Sequence, residues 1–424
     1  VLDSAFALRQ LRNRALGLEN DNVWYVAPDH QGGLWLALDN GIARLERADH
    51  LSLFNKQLGL LGTVRALQRH SGRLYAATSQ GIYRLQPGRG PEAPQAQFEP
   101  VPGAAGEAWA LATVGTELYA ATPRGLLRLD GARAETVLPE HARSLLALPG
   151  GRLAVGLREG LVVLAREGAG WAPRLRLEGE VAGREVRAMA AGNEPGTIWL
   201  GTNQEGVYRL ALNPGGAPSV TFWGTEAGLP AGPVEPFRAR GRLLVRTRQG
   251  IFFFENASGG PSAGLGTFKP YLELSRAQAD SARPPAWLMD LPGGGLAAEM
   301  GGQFYALQPD ATAPGGFARR PLAALARIQE DVAERTLIDS DGTLWRGGYE
   351  GLVRIGAQAL WGSRAAGPAV EFGALLRTVR LGRDSVVFRG AGAAPALRLP
   401  YLFGTLRLEY AAPAFDYAAG TEYQ

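Results

Sequence analysis

The chain has 424 residues, of which 46% are hydrophobic and 20% are charged, a balance that excludes bulk disorder and fits a soluble globular protein. Its net charge of +4 is carried by basic residues scattered along the chain, which argues against the basic stripe or patch of a nucleic-acid-binding protein. The absence of Cys excludes disulfide bonds, thiolate metal sites and a Cys nucleophile.

One pattern recurs along the chain: a short apolar strand, a polar turn that contains Gly, and a second short strand. Its copies are GGLWLALDNGIARL (32–45), GRLYAATSQGIYRL (72–85), TELYAATPRGLLRL (116–129), GRLAVGLREGLVVL (151–164), GTIWLGTNQEGVYRL (196–210), GRLLVRTRQGIFFF (241–254), GGLAAEMGGQFYAL (294–307) and GTLWRGGYEGLVRI (342–355). Up to Gly250 the turn glycines follow one another at intervals of 35 to 46 residues. This period is typical of four-stranded propeller blades.

Two further strands accompany each copy. An inner strand precedes it, such as VWYVA (23–27) or VRALQ (64–68), and a fourth strand such as LSLF (51–54) or VTFW (220–223) follows it. The segments are four to five residues long, β-branched or aromatic, and bounded by turn residues, which favours strands over helices. The sequence therefore predicts an all-β fold, a β-propeller of seven to eight four-stranded blades over residues 1–356.

A propeller has to close its ring. The last copy ends at Ile355 with no evident fourth strand, and AFALRQL (5–11) precedes the first inner strand, where an outermost strand would lie. We expect residues 5–11 to complete an eighth blade. In the alternative, the chain comes from a tandem of two rings, one ring holds seven blades, and the first copy belongs to the other ring.

Residues 17–46, GLENDNVWYVAPDHQGGLWLALDNGIARLE, resemble the repeat of the two-component-regulator propeller family. That repeat has a Gly-Leu and a polar turn before Asn-x-Val, then an acidic turn, Gly-x-Leu-Trp and Gly-Leu-x-Arg. Residues 336–355 are similar to its second half, and 196–210 share IWLGT, whereas the third, fourth, sixth and seventh copies lack the Trp. The resemblance covers about residues 5 to 356.

The tail gives a second resemblance. Residues 357–424 contain LRLEYAAPAF and a segment beginning at Tyr423, and they resemble the start of the tyrosine-rich (YYY) β-sandwich that follows such propellers. The resemblance implies the periplasmic or extracellular domain of a one-component or hybrid two-component regulator. It also implies a homodimer through the sandwich, and a membrane span and an output domain after the truncated end. No stretch of the chain itself reaches the roughly 18 to 20 apolar residues of a membrane helix.

The second residue of each inner strand is often Trp or Arg. These candidate ligand-binding residues are Trp24, Arg65, Trp109, Arg143, Arg187, Glu235 and Trp287, with Thr336 in the last copy. The innermost strands of a propeller line its central channel. Trp faces stack on sugar rings, and Arg binds carboxylates or sulfates through two parallel hydrogen bonds. The pattern predicts a ligand site at the channel mouth; the alternative is that these side chains only fill space between blades.

Recurring aromatic and basic positions within the strand pairs have a structural interpretation. Trp35, Trp199 and Trp345 stand beside small residues at one repeat position, as packing between blades requires.

The four His (His30, His50, His70 and His141) occupy unlike repeat positions, so no metal site or catalytic base is predicted. Asp339-Ser340-Asp341-Gly342 is interpreted as a β-turn, because the Glu that would end a calcium loop is absent.

These observations favour a non-catalytic sensing domain that binds a small molecule or an oligosaccharide, without a cofactor. Two alternatives stay open. One is a propeller that acts as a protein-interaction scaffold. The other is a propeller lyase or lactonase, for which Glu235 is the only suitable carboxylate on the predicted inner strands.

Overall fold

The computed structural model describes most of the chain. The described residues are 13–14, 18–29, 33–45, 51–88, 96–130, 133–168, 170–177, 179–213, 216–255, 266–274, 284–291, 294–301, 303–313, 316–322, 325, 335–349, 351–357, 360, 375–382, 385–389 and 405–411. Two compact units are distinguished: unit 1 comprises Val1–Leu11 and His50–Gly362, and unit 2 comprises Arg12–Asp49 and Ser363–Gln424.

Unit 1 is built from antiparallel strands. They are β4 (Leu51–Phe54), β5 (Val64–His70), β6 (Arg73–Thr78), β7 (Gly81–Gln86), β8 (Gln97–Ala105), β9 (Ala110–Val114), β10 (Glu117–Thr122), β11 (Gly125–Leu129), β12 (Ala134–Leu138), β13 (Ala142–Leu148), β14 (Arg152–Leu157), β15 (Leu161–Glu167), β16 (Gly170–Arg176), β17 (Val186–Ala191), β18 (Thr197–Thr202), β19 (Val207–Ala211), β20 (Ser219–Trp223), β21 (Glu235–Ala239), β22 (Arg242–Thr247), β23 (Gly250–Glu255), β24 (Thr267–Pro270), β25 (Trp287–Asp290), β26 (Leu296–Met300), β27 (Gln303–Pro309), β28 (Phe317–Pro321), β29 (Arg335–Ile338), β30 (Leu344–Gly347) and β31 (Leu352–Ile355). Single turns of 3-10 helix lie at Lys56–Leu58, Gly179–Val181 and Thr225–Ala227.

The described strands of unit 1 form seven four-stranded sheets. Sheets 1 to 6 each take four consecutive strands, from β5–β8 for sheet 1 to β25–β28 for sheet 6, and sheet 7 has the order β29-β30-β31-β4. The first strands of neighbouring sheets contact one another from β5 through β25, and β29 contacts β5. This is the β-propeller predicted from the repeats, with the first strand of each sheet at the channel.

Sheet 7 closes the ring with a strand that comes before sheet 1 in the chain. Strand β4 pairs antiparallel with β31, Leu352 opposite Phe54 and Val353 opposite Leu53. The prediction that LSLF (51–54) completes the first copy was therefore wrong. The strand predicted to close the ring, residues 5–11, lies outside the described residues, and β4 fills the position expected for it. This order agrees with the alternative of a ring in which the first copy takes no part; the blade number of the whole protein stays a prediction.

Small residues allow neighbouring sheets to approach closely. Gly201 on β18 lies against the next inner strand, where a Cβ atom would come within 2.1 Å of the Val234 carbonyl oxygen. Within sheet 2, Gly125 at the start of β11 has φ +137°, and a Cβ atom there would meet the Leu138 oxygen of β12 at 2.1 Å. Larger apolar side chains fill the rest of each interface: Trp199 and Trp345 are buried, as the packing interpretation predicted.

Unit 2 contains two three-stranded sheets. One consists of β1 (Val23–Pro28), β2 (Leu34–Leu38) and β3 (Gly41–Leu45), and is thus the first sequence copy. The other has the order β33-β32-β34, with β32 at Leu375–Leu381, β33 at Ser385–Arg389 and β34 at Leu406–Ala411. The predicted boundary at residue 356 and the β-sandwich at 357–424 stay predictions. No helix among the described residues combines the length and the apolar character needed to cross a membrane.

Candidate functional site

β-bulges place the predicted Arg residues of three inner strands. In β5, Val64 pairs with Thr78 and Ala66 with Ala77, so that Arg65 is an extra residue without a partner in the ladder. Arg143 in β13 and Arg187 in β17 occupy the same kind of bulge. A bulge bends the strand and redirects the extra side chain. Recurrence of the bulge explains why these side chains recur at one repeat position.

Side-chain hydrogen bonds hold the strand ends around these bulges. The Thr78 hydroxyl at the end of β6 donates to the Gly81 carbonyl at 3.0 Å, and Thr122 does the same to Gly125 at 2.8 Å. Between neighbouring inner strands, the buried Ser144 hydroxyl donates to the Val186 carbonyl at 2.7 Å. Ser144 and Val186 directly adjoin Arg143 and Arg187, so the two Arg residues start from a fixed backbone.

A first cluster joins predicted residues of sheets 2, 3 and 4. The Arg143 guanidinium lies 4.6 Å from the Trp109 ring centroid. Glu185 binds Arg143 Nε at 3.5 Å and Arg187 Nε at 2.6 Å, and so bridges two inner strands. The His141 ring stacks on Trp109, with centroids 4.8 Å apart and an interplanar angle of 21°. The structure therefore brings Trp109, Arg143 and Arg187 together as the sequence predicted.

Arg65 approaches this cluster through a carboxylate that the sequence prediction missed. Its Nη2 atom lies 3.8 Å from Glu107 Oε1. Glu107, His141 and Glu185 each stand two residues before a predicted site residue. This recurring spacing was the available signal in the sequence.

A second cluster lies on sheets 5, 6 and 7. Glu235 Oε2 accepts from Arg246 Nη1 at 3.3 Å and lies 4.0 Å from Arg335 Nη1. Beside it is a cavity of about 760 Å³, whose lining includes Trp287, Phe237 and Glu299. Thr336 also lines this cavity, but the charged residue that β29 contributes is its neighbour Arg335, which the sequence alignment did not select.

Burial acts against the positive charge in both clusters. It lowers the pKa of Arg143, an effect that Glu185 opposes and the like charges of Arg187 and Arg335 reinforce. It also lowers the pKa of Arg246, against the attraction of Glu235. Both shifts show that burial outweighs the attraction of the neighbouring carboxylates at these two guanidinium groups.

The residues of the two clusters carry an excess of positive charge. Their acidic residues are Glu107, Glu185, Glu235 and Glu299. Their basic residues are more numerous: Arg65, Arg143, Arg187, Arg246, Arg335 and Arg346. Such an arrangement attracts anionic groups, and the half-buried Trp287 ring offers an apolar surface beside the second cluster. Among the residues that the structure describes, no three His, Asp or Glu side chains gather as a metal site would require.

Trp24 is a residue of unit 2, whereas the two clusters consist of residues of unit 1 alone. Its side chain is 75% exposed, and its indole nitrogen donates to Asp39. The two clusters described above do not include Trp24, and its predicted role in ligand binding stays a prediction. Trp24 lies on β1, at a bulge between Val23 and Tyr25, in a sheet of unit 2.

No family model matches this chain, and no curated protein does. Solved structures with a similar fold include the extracellular domain of the hybrid two-component system BT3049 of B. thetaiotaomicron, with a TM-score of 0.62 and 14% identity over 92% of this chain and 52% of that one. The extracellular domain of the hybrid two-component system BT4673 of the same organism has a TM-score of 0.56 and 13% identity over 90% of this chain and 52% of that one. The chain thus spans about half the length of these structures, and the likeness shows a shared β-propeller fold.

Proposed function

We propose that this chain is a periplasmic or extracellular sensing domain of a bacterial signal-transduction regulator, and that it binds an oligosaccharide or a related small molecule at the channel of unit 1. The observation that carries the proposal is the cluster of Trp109, Arg143 and Arg187 held together by Glu185. An aromatic face beside fixed guanidinium groups suits a ring with polar substituents. The fold shared with extracellular domains of two-component systems supports a sensing role.

Signalling would need a ligand that binds two arrangements of the protein with different affinity. In the proposal, a dimer formed through residues 357–424 supplies these arrangements, and the regulator's output domain reads them. The chain itself acts as a binding module. Glu235, the carboxylate considered for a catalytic role, is instead engaged by Arg246 and Arg335.

The test is a thermal-shift screen of the purified chain against neutral and acidic oligosaccharides. A ligand that binds only the folded state stabilises it by about 2.7 kcal/mol at 100 times its Kd, which raises Tm measurably. Trp109→Ala and Arg143→Gln are expected to abolish the shift. Trp24→Ala is the matched control, since Trp24 lies in unit 2, and it should retain the full shift.

Two results would overturn the proposal. One is the absence of any shift across the panel. The other is turnover of a sugar or a lactone by the purified chain, which would make it an enzyme. A shift that Trp24→Ala removes and Trp109→Ala leaves intact would move the binding site away from the channel of unit 1.

A further inference from the structure

The cavity beside β21, β25 and β29 differs from the Trp109 cluster in its composition. It holds about 760 Å³, a volume in the range of small-molecule sites. Three inner strands supply its walls: β21 contributes Phe237, β25 contributes Trp287 and β29 contributes Arg335. The neighbouring strands β22 and β30 add Arg246 and Arg346. Guanidinium groups and aromatic rings therefore converge on one space.

Basic side chains outnumber acidic ones around this cavity. Its lining contains the guanidinium groups of Arg238, Arg246, Arg335 and Arg346 and the carboxylates of Asp290 and Glu299. Glu235 lies beside the lining, accepts one hydrogen bond of 3.3 Å from Arg246 and lies 4.0 Å from Arg335. The excess of positive charge attracts an anionic group into the cavity.

The aromatic side chains of the cavity supply a surface for a ring. The Arg246 guanidinium lies 5.5 Å from the Phe237 ring centroid, which holds its plane in place. Trp287 is half-buried and packs against Phe304, with ring centroids 6.1 Å apart and an interplanar angle of 67°. A fixed guanidinium beside a partly accessible indole can bind a planar carboxylate and the ring that carries it.

We infer that this cavity is a subsite for a sugar ring that bears a carboxylate, with Arg246 and Arg335 binding the carboxylate and Trp287 contacting the ring. The inference rests on the proposed ligand-binding role of the channel and names the class of sugar. Of the two guanidinium groups, Arg335 is the more exposed, with 43% of its side chain accessible against 30% for Arg246. Arg335 would therefore meet an entering anion first.

The experiment is a titration of the purified chain with D-glucuronate, D-glucose and acetate, followed by saturation-transfer NMR and by Trp fluorescence. D-Glucuronate is expected to bind at least about tenfold more tightly than D-glucose, which lacks the carboxylate, and than acetate, which lacks the ring. Raising the ionic strength should weaken the binding, because salt screens the charge attraction.

Variants assign the binding to this cavity. Arg335→Gln and Arg246→Gln should each weaken D-glucuronate binding by at least about tenfold. Arg242→Gln is the matched control, because Arg242 lies on the same strand β22 but pairs with Glu273, outside the lining of the cavity. It should bind as the unchanged chain does. Arg335→Gln changes a side chain that is partly accessible to solvent, so it keeps the test valid should Arg246→Gln fail to fold.

Several outcomes would contradict the inference: no binding of D-glucuronate, equal binding of D-glucose or acetate, or binding that survives Arg335→Gln. The experiment distinguishes these outcomes from a failure of the proposed function. If neutral oligosaccharides bind through Trp109 but D-glucuronate does not bind, only the subsite is contradicted. D-Glucuronate binding that depends on Arg335, with no response to any oligosaccharide, would overturn the glycan ligand and keep the subsite.

Discussion

Arg69 and Asp339 form a paired hydrogen bond between the first and the last sheet of unit 1, although 270 residues separate them in the sequence. Arg69 Nε donates to Asp339 Oδ1 at 2.8 Å and Arg69 Nη2 donates to Oδ2 at 2.6 Å. The Trp345 indole also donates to Oδ2 at 2.8 Å. The ring is thus joined at sheets 1 and 7 by side chains, in addition to the β4–β31 pairing within sheet 7.

Arg69→Ala is expected to destabilise unit 1 by about 1–3 kcal/mol, because the Asp339 carboxylate, whose side chain is 10% exposed, loses two of its donors. Urea unfolding monitored by Trp fluorescence measures this change. Arg133→Ala, which breaks an ion pair with Asp130 that is exposed on both sides, should change stability by less than about 0.5 kcal/mol. Equal effects of the two substitutions would show that the Arg69–Asp339 pair does not hold the ring.

Gly201→Ala is expected to cost about 1–3 kcal/mol, since the new methyl group would meet the Val234 oxygen at 2.1 Å and the Pro236 Cδ atom at 2.7 Å. Both neighbours belong to the backbone or to a rigid ring and cannot move aside easily. The measurement is thermal unfolding by circular dichroism. Gly183→Ala provides the comparison: its methyl group would meet nothing within 4 Å, so Tm should stay almost unchanged. A stable Gly201→Ala protein would contradict the close approach of β18 to the next inner strand.

Tyr119→Phe removes a hydroxyl from a partly buried network between sheets 2 and 3. This hydroxyl donates to Glu117 at 2.7 Å and accepts from Arg166 and Trp171, each at 2.9 Å. Its loss removes the acceptor of the Trp171 indole and one donor of Glu117, and we expect a cost of about 1–3 kcal/mol in the free energy of unfolding. Tyr305→Phe serves as the control, because the Tyr305 hydroxyl donates to Gln303 at the surface. Comparable midpoints for both variants in urea would argue against the network.

His141 is expected to make the protein less stable in mild acid. Burial lowers its pKa below the ordinary 6.5, and Arg158 and Arg143 act in the same direction, while Glu185 and Glu107 oppose it. The unfolded chain therefore binds a proton more readily, so stability contributed by neutral His141 is present above pH 6.5 and decreases as pH falls towards the lowered pKa. His141→Gln should flatten the dependence of Tm on pH between about pH 7.5 and about pH 5. An unchanged slope in this variant would exclude His141 as the source.

The repeats predicted the architecture well because each blade is a local unit. Short strands, Gly-containing turns and buried Trp199 and Trp345 follow from neighbouring residues, and the structure has them where the pattern placed them. The strand at 51–54 was assigned to the wrong sheet for a physical reason. A fourth strand pairs through its backbone, so its side chains do not specify which sheet it joins.

The candidate site was predicted in part. Arg143 and Arg187 were predicted because the same bulge recurs at one position of the repeat, and the repeat is visible in the local sequence. Glu185 was missed because its role depends on two strands meeting in space. Arg335 was missed through a shift of one residue to Thr336 in a loosely aligned copy, although both residues line the same cavity.

The pairing of β4 with β31 also affects the order in which the protein folds during synthesis. Phe54 and Leu352 are about three hundred residues apart, so the ribosome synthesises β4 long before it synthesises β29, β30 and β31. Until then β4 presents unpaired backbone groups that another chain could occupy. Sheet 7 is therefore the last of the described sheets of unit 1 to be completed during synthesis, and exchange of β4 between two molecules is the misassembly to which this propeller is most exposed.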